Sequence, residues 1–330
     1  MRGEIVEPKN CITDVKGIKV GHAQNREGAT GCTVILCEGG AKAGVDVRGG
    51  APGSRELALL DPVNLIDQVH AIYLSGGSAF GLDGAAGVME YLEKKQIGID
   101  TGQTRVPIVP GAVLFDLLVG DPFIRPDKEM GITACEAATE EKSPQGNTGA
   151  GTGAAVGRVA GPARFMKGGV GCASRIIGSL TVGALVAVNC VGDVVDECTG
   201  KILAGTLNER KDGFADSTYM ISHPEHNGPN LLTGNTTLGV IATNARFSKV
   251  EATKVAMMAH DGFARSIRPI HTMHDGDTIF CLSVGEEAAE VSTVGTIAAE
   301  VMSEAIVNAV VHAETAYGVL SYTDFKQKQK

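Results

Sequence analysis

The stretch "LLTGNTTLGVIATNA" (residues 231–245) joins a Gly-Asn turn directly to an apolar strand and sets two hydroxyl side chains, Thr236 and Thr237, at the junction. Three readings of that threonine compete. It is a plain turn into a strand, an N-glycosylation acceptor at Asn235-Thr236-Thr237, or a bond that the protein cuts in itself to expose a catalytic threonine. A threonine hydroxyl is a poor nucleophile unless a base stands beside it, and the first residue of a chain carries its own base, the α-amine. That amine has an ordinary pKa of about 8, which suits work at neutral pH. An internal threonine must then be freed by cleavage just before it, through an N→O acyl shift for which Gly234-Asn235 supplies a tight turn. On chemistry alone the plain turn is the simpler reading.

Working outward, residues 207–230 are polar with no helical or strand period and read as a long exposed loop that feeds the opening stretch. Upstream, "SLTVGALVAVNCVGDVVD" reads as a strand hairpin with Asn189 near the end of its first strand and Gly192-Asp193 in the turn. Nearer the start, "IKVGHA" and "GCTVILC" read as strands, and "HAIYLSGG" runs into a helical "SAFGLDGAAGVMEYLEKK" with Ser78 as N-cap. "VPIVPGAVLFDLLVG" gives another strand, followed by a charged surface stretch from Pro122 to Lys142. Downstream, "SKVEATKVAMMAHDGFARSI" is helical, with Ser248 and Glu251 in capping-box spacing. A strand "TIFCLSVG" and a long helix over about 293–315 follow. Strands and helices come in runs and do not alternate strictly, which favours a layered α+β architecture in a single domain.

With 330 residues, 43 % of them apolar, the chain can fill a sizeable core. A formal charge of -9, with no basic block beyond the terminal "FKQKQK", gives no footprint for nucleic acid or an anionic membrane surface. No charged leader with an apolar run opens the sequence, and no apolar run approaches the roughly 20 residues that span a bilayer. A cytoplasmic location is expected, and the glycosylation reading of Asn235 falls with it. The eight cysteines are scattered without a C-x-x-C pair and read as small buried hydrophobes. Glycine is the anomaly, with 44 residues, and it implies close backbone packing and tight turns.

Two further constellations carry chemistry. In "HTMHDGDTIF", His271, His274, Asp275 and Asp277 suit a solvated loop, a pair of carboxylates aimed at an amine, or a metal cluster. "GNTGAGTGAAVGR" is dense enough in glycine to suggest a phosphate cradle, yet it lacks the Gly-Lys-Ser/Thr ending, so close backbone packing is the better account.

Together with "GNTTLGVIATNARFS", "IRPIHTMHDGDTIFCLSVG", "GAGTGAAVGR", "MKGGVGCAS" and "VDVRGGAPGSRE…YLSGGSAFGLDGAAGVMEYLE", the sequence resembles the self-processing DmpA-like aminopeptidase family over about residues 15–316. That family includes β-aminopeptidases and the nylon-oligomer (6-aminohexanoate) endohydrolases, and the Asn-Thr junction is similar to the latter branch. The resemblance implies a four-layer αββα sandwich, like that of N-terminal nucleophile hydrolases but differently connected. It implies cleavage between Asn235 and Thr236 into subunits 1–235 and 236–330, with Thr236 as the nucleophile. Asn189 matches the asparagine that donates to the oxyanion, and Asp275 and Asp277 match two acidic positions that orient the Thr236 ammonium or bind a substrate amine. Where the nylon branch has a lysine after the glycine-rich run stands Arg158, whose permanent charge suits an oxyanion or a carboxylate and not a base. Where the family has a tyrosine stands Phe115, which with Ser78 is a candidate for the substrate-binding or oxyanion site. The implied activity is hydrolysis of linear amides in amino-terminated substrates, with no metal or cofactor, by a homo-oligomer of αβ units, tetrameric or larger. The alternative is an uncut, silent member that binds a small molecule.

Overall fold

In the computed structural model, which describes residues 8–223 and 234–329, one strand carries the architecture. The strands that matter are β1 (Lys19–Asn25), β2 (Thr30–Val47), β3 (Val69–Ser75), β4 (Gly111–Val113), β5 (Gly169–Ile177), β6 (Leu180–Asn189), β7 (Thr236–Ala245) and β8 (Thr278–Glu287). The helices are α1 (Gly84–Lys94), α2 (Lys128–Glu136), α3 (Ser217–Ser222), α4 (Lys249–Ser266) and α5 (Val291–Val311). The first half of β2 pairs antiparallel with β1 and β3, while its second half pairs antiparallel with β8. This 18-residue strand therefore belongs to two sheets, one running β1-β2-β3-β4 and the other β5-β6-β7-β8-β2. In the second sheet β7 and β8 are parallel neighbours and the other pairs are antiparallel.

Alternation along these strands builds three apolar layers. Ile35, Ile72 and Leu74 from the first sheet meet Leu185, Leu238, Val240, Phe280 and Leu282 from the second in one core between the sheets. The opposite face of the first sheet, Val34, Leu36, Ala71 and Tyr73, packs on Ala85, Val88 and Leu92 of α1 and on Ala134 and Cys135 of α2. The opposite face of the second sheet, with Val182, Val186, Ile241 and Ile279, packs on α4 and α5. The molecule is thus an αββα sandwich, as expected. Both faces of β7 are covered, so all its residues are buried except the half-exposed Asn244. Leu238→Ala would open a cavity between the sheets and cost about 2–5 kcal/mol.

Local chemistry accounts for the element ends. Ser248 and Glu251 form the expected capping box, each side chain accepting from the other's backbone N–H, and α4 starts there. The turn between β5 and β6 is Gly178-Ser179, with Gly178 at φ +61°, a conformation that glycine adopts without a Cβ penalty.

Several expectations are corrected. The hairpin forms between β5 and β6, because Asp193–Val195 turns away to pair with Ile202–Ala204 and Ile267–Arg268. Ser78 is not an N-cap: Gly77 precedes a 3-10 turn, Ser78–Asp83, and the α-helical part begins only at Gly84. The charged stretch 122–142 contains α2, whose Gly131, Ala134 and Cys135 are buried on one face. The polar loop of 207–230 contains α3, capped by the Asp216 carboxylate, with Ser217 and Met220 buried; its residues 224–230, like 231–233 of the opening stretch, lie outside the described residues. Finally, α5 has the length and apolarity to cross a membrane, and 67 % of that stretch is buried inside the protein. Its apolar character follows from packing on α4, β5 and β6 at once.

Candidate active site

Thr236 is the first residue of β7, and it is 3 % exposed. Its hydroxyl contacts the carbonyl of Asn235, the residue before it. That carbonyl also accepts from the Gly276 N–H at 2.8 Å, while the Asn235 N–H donates to the His274 carbonyl at 2.8 Å. The Asn235-Thr236 bond is therefore held from outside the strand by the Asp275 turn. Gly276 is required there, because a Cβ would stand 2.6 Å from Thr236 Oγ1 and 2.8 Å from the Ala51 carbonyl.

The turn positions two carboxylates. Asp277 accepts from the Thr237 N–H at 2.8 Å with Oδ1, and from the His271 N–H and ring Nδ1 at 3.1 and 2.9 Å with Oδ2. Asp275 accepts from the Thr272 N–H and hydroxyl at 2.9 and 2.6 Å and from the Val191 N–H at 3.4 Å. Both carboxylates are fully buried; burial and then the neighbouring Asp277 push the Asp275 carboxyl up to about 6. Among the described residues no three His, Cys, Asp or Glu side chains stand together to hold an ion. His274 contributes its main-chain carbonyl, and His271 serves Asp277.

Across the site, Asn189 ends β6 directly opposite Thr236 in the strand pairing. Its Oδ1 accepts from the Ala155 N–H and from Arg158 Nη1 at 3.1 and 2.8 Å, and its Nδ2 donates to the Phe115 carbonyl at 3.1 Å. Arg158 Nη1 donates to the same Phe115 carbonyl at 2.7 Å. Position 115 thus enters the site through its main chain, and its ring stands beside Gly234 and 5.8 Å from the Arg158 guanidinium. Burial pulls the Arg158 guanidinium down to about 10, against the pull of Asp116 and other nearby anions. Ser78 has left-handed backbone and donates its N–H to the Leu114 carbonyl. The structure gives its side chain no bond to Thr236, Asn189 or Arg158.

Two residues of this region escaped the sequence reading. Lys167 lies in the quoted "MKGGVGCAS" and is completely buried. Its Nζ donates to the Thr152 and Ala154 carbonyls at 2.9 and 2.8 Å, fixing the chain just before the Ala155 N–H that serves Asn189. Burial brings its ammonium down to about 7. Asp116, also buried, accepts from Thr30 Oγ1 and the Gly77 N–H, each at 2.7 Å, and faces Arg158 electrostatically. A charged residue inside an otherwise apolar or glycine-rich run was the available signal for both. In the glycine-dense window itself, close packing is the observed role: a Cβ on Gly153 would strike the Ala29 carbonyl, and one on Gly149 the Thr33 hydroxyl.

The sequence profile of Peptidase family S58 matches residues 10–323. The chain belongs to this family. It is 42 % identical to an uncharacterised aminopeptidase of Mycobacterium leprae, over 96 % of this chain and 94 % of that one. It is 34 % identical to the 6-aminohexanoate-oligomer endohydrolase of Paenarthrobacter ureafaciens, over 90 % of this chain and 84 % of that one. The L-aminopeptidase D-Ala-esterase/amidase of Ochrobactrum anthropi, described as a variant of the Ntn hydrolase fold, superposes with a TM-score of 0.69 at 19 % identity, covering 98 % of this chain and 93 % of that one. The S58 assignment makes the protein a hydrolase of amide bonds.

Proposed function

We propose that the protein is a self-processing amidohydrolase whose nucleophile is Thr236, freed by cleavage of the Asn235-Thr236 bond. One observation carries this reading: the Thr236 hydroxyl is buried against the carbonyl that precedes it, and that carbonyl oxygen is held by the Gly276 N–H. In the acyl shift Oγ1 attacks the Asn235 carbonyl carbon, the C–N bond breaks, and the α-amine of Thr236 is released. Water then splits the ester, leaving a carboxylate on Asn235 and restoring the hydroxyl.

In turnover the same hydroxyl attacks a linear amide. The α-amine takes its proton and passes it to the leaving amine, and water clears the acyl-enzyme. Asp277 and Asp275 hold the strand entry and the turn facing it, and Asn189 and Arg158 form the polar wall opposite. The substrates are amino-terminated amides such as 6-aminohexanoate oligomers, short peptides, β-peptides and amino-acid amides, and no cofactor takes part. Assembly of αβ units into a tetramer or larger, in the cytoplasm, belongs to the same proposal.

The test is to trap the acyl-enzyme. Processed protein mixed with an amino-acid ester and quenched in acid within the first turnover is expected to carry one acyl group on the fragment 236–330, at its first residue. Acylation elsewhere, or turnover without an acylated fragment, would overturn the assignment.

A further inference from the structure

Arg158 is anchored along one edge and unmatched along the other. Both hydrogens of Nη1 are engaged, one by the Phe115 carbonyl at 2.7 Å and one by Asn189 Oδ1 at 2.8 Å. The remaining donors, Nε and Nη2, are buried and have no hydrogen-bond partner among the described residues. In a guanidinium these two N–H groups lie on the same edge and point in parallel, and that fork matches the two oxygens of a carboxylate. The rings of Phe115 and Phe165 stand 5.8 and 5.7 Å from the guanidinium carbon, so the cation is walled in by apolar surface.

Among the described residues, no acid fills the fork. Asp116 has one oxygen on Thr30 and the other on the Gly77 N–H, and Asp275 is held by Thr272 and Val191. Buried donors of a cation left without a partner are costly, and an entering anion satisfies both of them at once. A lone oxyanion is the weaker match. The scissile carbonyl of the intact chain marks where that oxygen sits, and its donor there is the Gly276 N–H, with no bond from Arg158.

We infer that the Nε–Nη2 edge of Arg158 is a carboxylate subsite, and that the preferred substrates are linear amides bearing a free carboxylate close to the scissile bond. This rests on the reading of Thr236 as the nucleophile, because Arg158 reaches the reacting bond through Asn189, the residue paired with Thr236. The carboxylate comes from one of two sources, the terminal carboxylate of the leaving amino acid or an acidic side chain on the acyl residue.

The experiment compares kcat/KM of processed wild type on matched pairs. One pair is an alanyl dipeptide and its C-terminal carboxamide; the other is a glutamyl anilide and its glutaminyl counterpart. Alanine anilide is the neutral reference. In one pair the carboxylate form is expected to be favoured about 10- to 100-fold, which also identifies the source. Arg158→Met is expected to bring that ratio to about one, with Arg158→Lys in between because an ammonium keeps the charge and loses the fork. Ratios near one in both pairs, with the neutral anilide still hydrolysed, overturn the subsite and leave the threonine mechanism standing. Failure of wild type on every substrate overturns that mechanism and the subsite with it. Should the variants not process, the wild-type ratios decide alone.

Discussion

On the carboxylate side of the Asn235-Thr236 bond, all four oxygens of Asp275 and Asp277 are taken by N–H or O–H donors of Val191, Thr237, His271 and Thr272. On the guanidinium side, Arg158 has one nitrogen tied to Asn189 and Phe115 and two with no partner among the described residues. The two sides have comparable burial and opposite saturation. A saturated network fixes geometry, while an unsaturated one is ready for a ligand. The carboxylate side therefore holds Thr236 and its strand in register, and the guanidinium side carries the proposed carboxylate subsite.

That contrast can be broken at graded depths. Removing the proposed nucleophile does most: Thr236→Ala is expected to stay uncut and to lose about 10⁴-fold or more in hydrolysis, checked on a denaturing gel and with an amino-acid anilide. Asn189→Ala, which takes an acceptor from Arg158 and from the Ala155 N–H, is expected to lower kcat by about 10²- to 10³-fold. A loss of that size with Asn189 intact and Arg158 altered would move the weight to the guanidinium alone.

The acid limb of the pH profile reports on the carboxylates. Asp275 is raised above the ordinary carboxylate range, so its anion is present above about 6 and is lost as pH falls through that value. Wild-type kcat/KM is expected to fall with it. Asp277→Asn removes the like charge that helps to raise Asp275, so its limb is expected to move to lower pH; a limb that moves up, or does not move, breaks the assignment. Smaller effects are expected where the side chain does not act. Phe115→Leu keeps the main-chain carbonyl and is expected to cost less than about tenfold, and Ser78→Ala to stay within about twofold in kcat/KM.

The layered fold was legible because periodicity reports burial: β7, β8, α4 and α5 lie within a few residues of where their patterns place them. The misplaced hairpin has a physical reason. "SLTVGALVAVNC" and "GDVVD" are both apolar and flank a glycine, but Gly178-Ser179 makes the tighter turn, and pairing across it gives β6 two partners in register. Residues of the site were legible where their type is unusual for their place, as with Thr236, Asp275 and Asp277 beside apolar strands. Lys167 shows in the sequence only as a charge inside a glycine-rich run; the two carbonyls that cap its ammonium come from residues 13 and 15 positions away. The Gly276 donor was not legible at all, since a main-chain N–H has no letter of its own.

Self-cleavage before Thr236 is tested by a time course of intact mass under denaturing conditions, with N-terminal sequencing of any fragment, on wild type beside Thr236→Ala. The account predicts that wild type resolves into two pieces, the smaller beginning Thr-Thr-Leu-Gly, while the variant remains one chain. A wild type that stays whole while it hydrolyses amides, or a fragment that begins at any other residue, would contradict it.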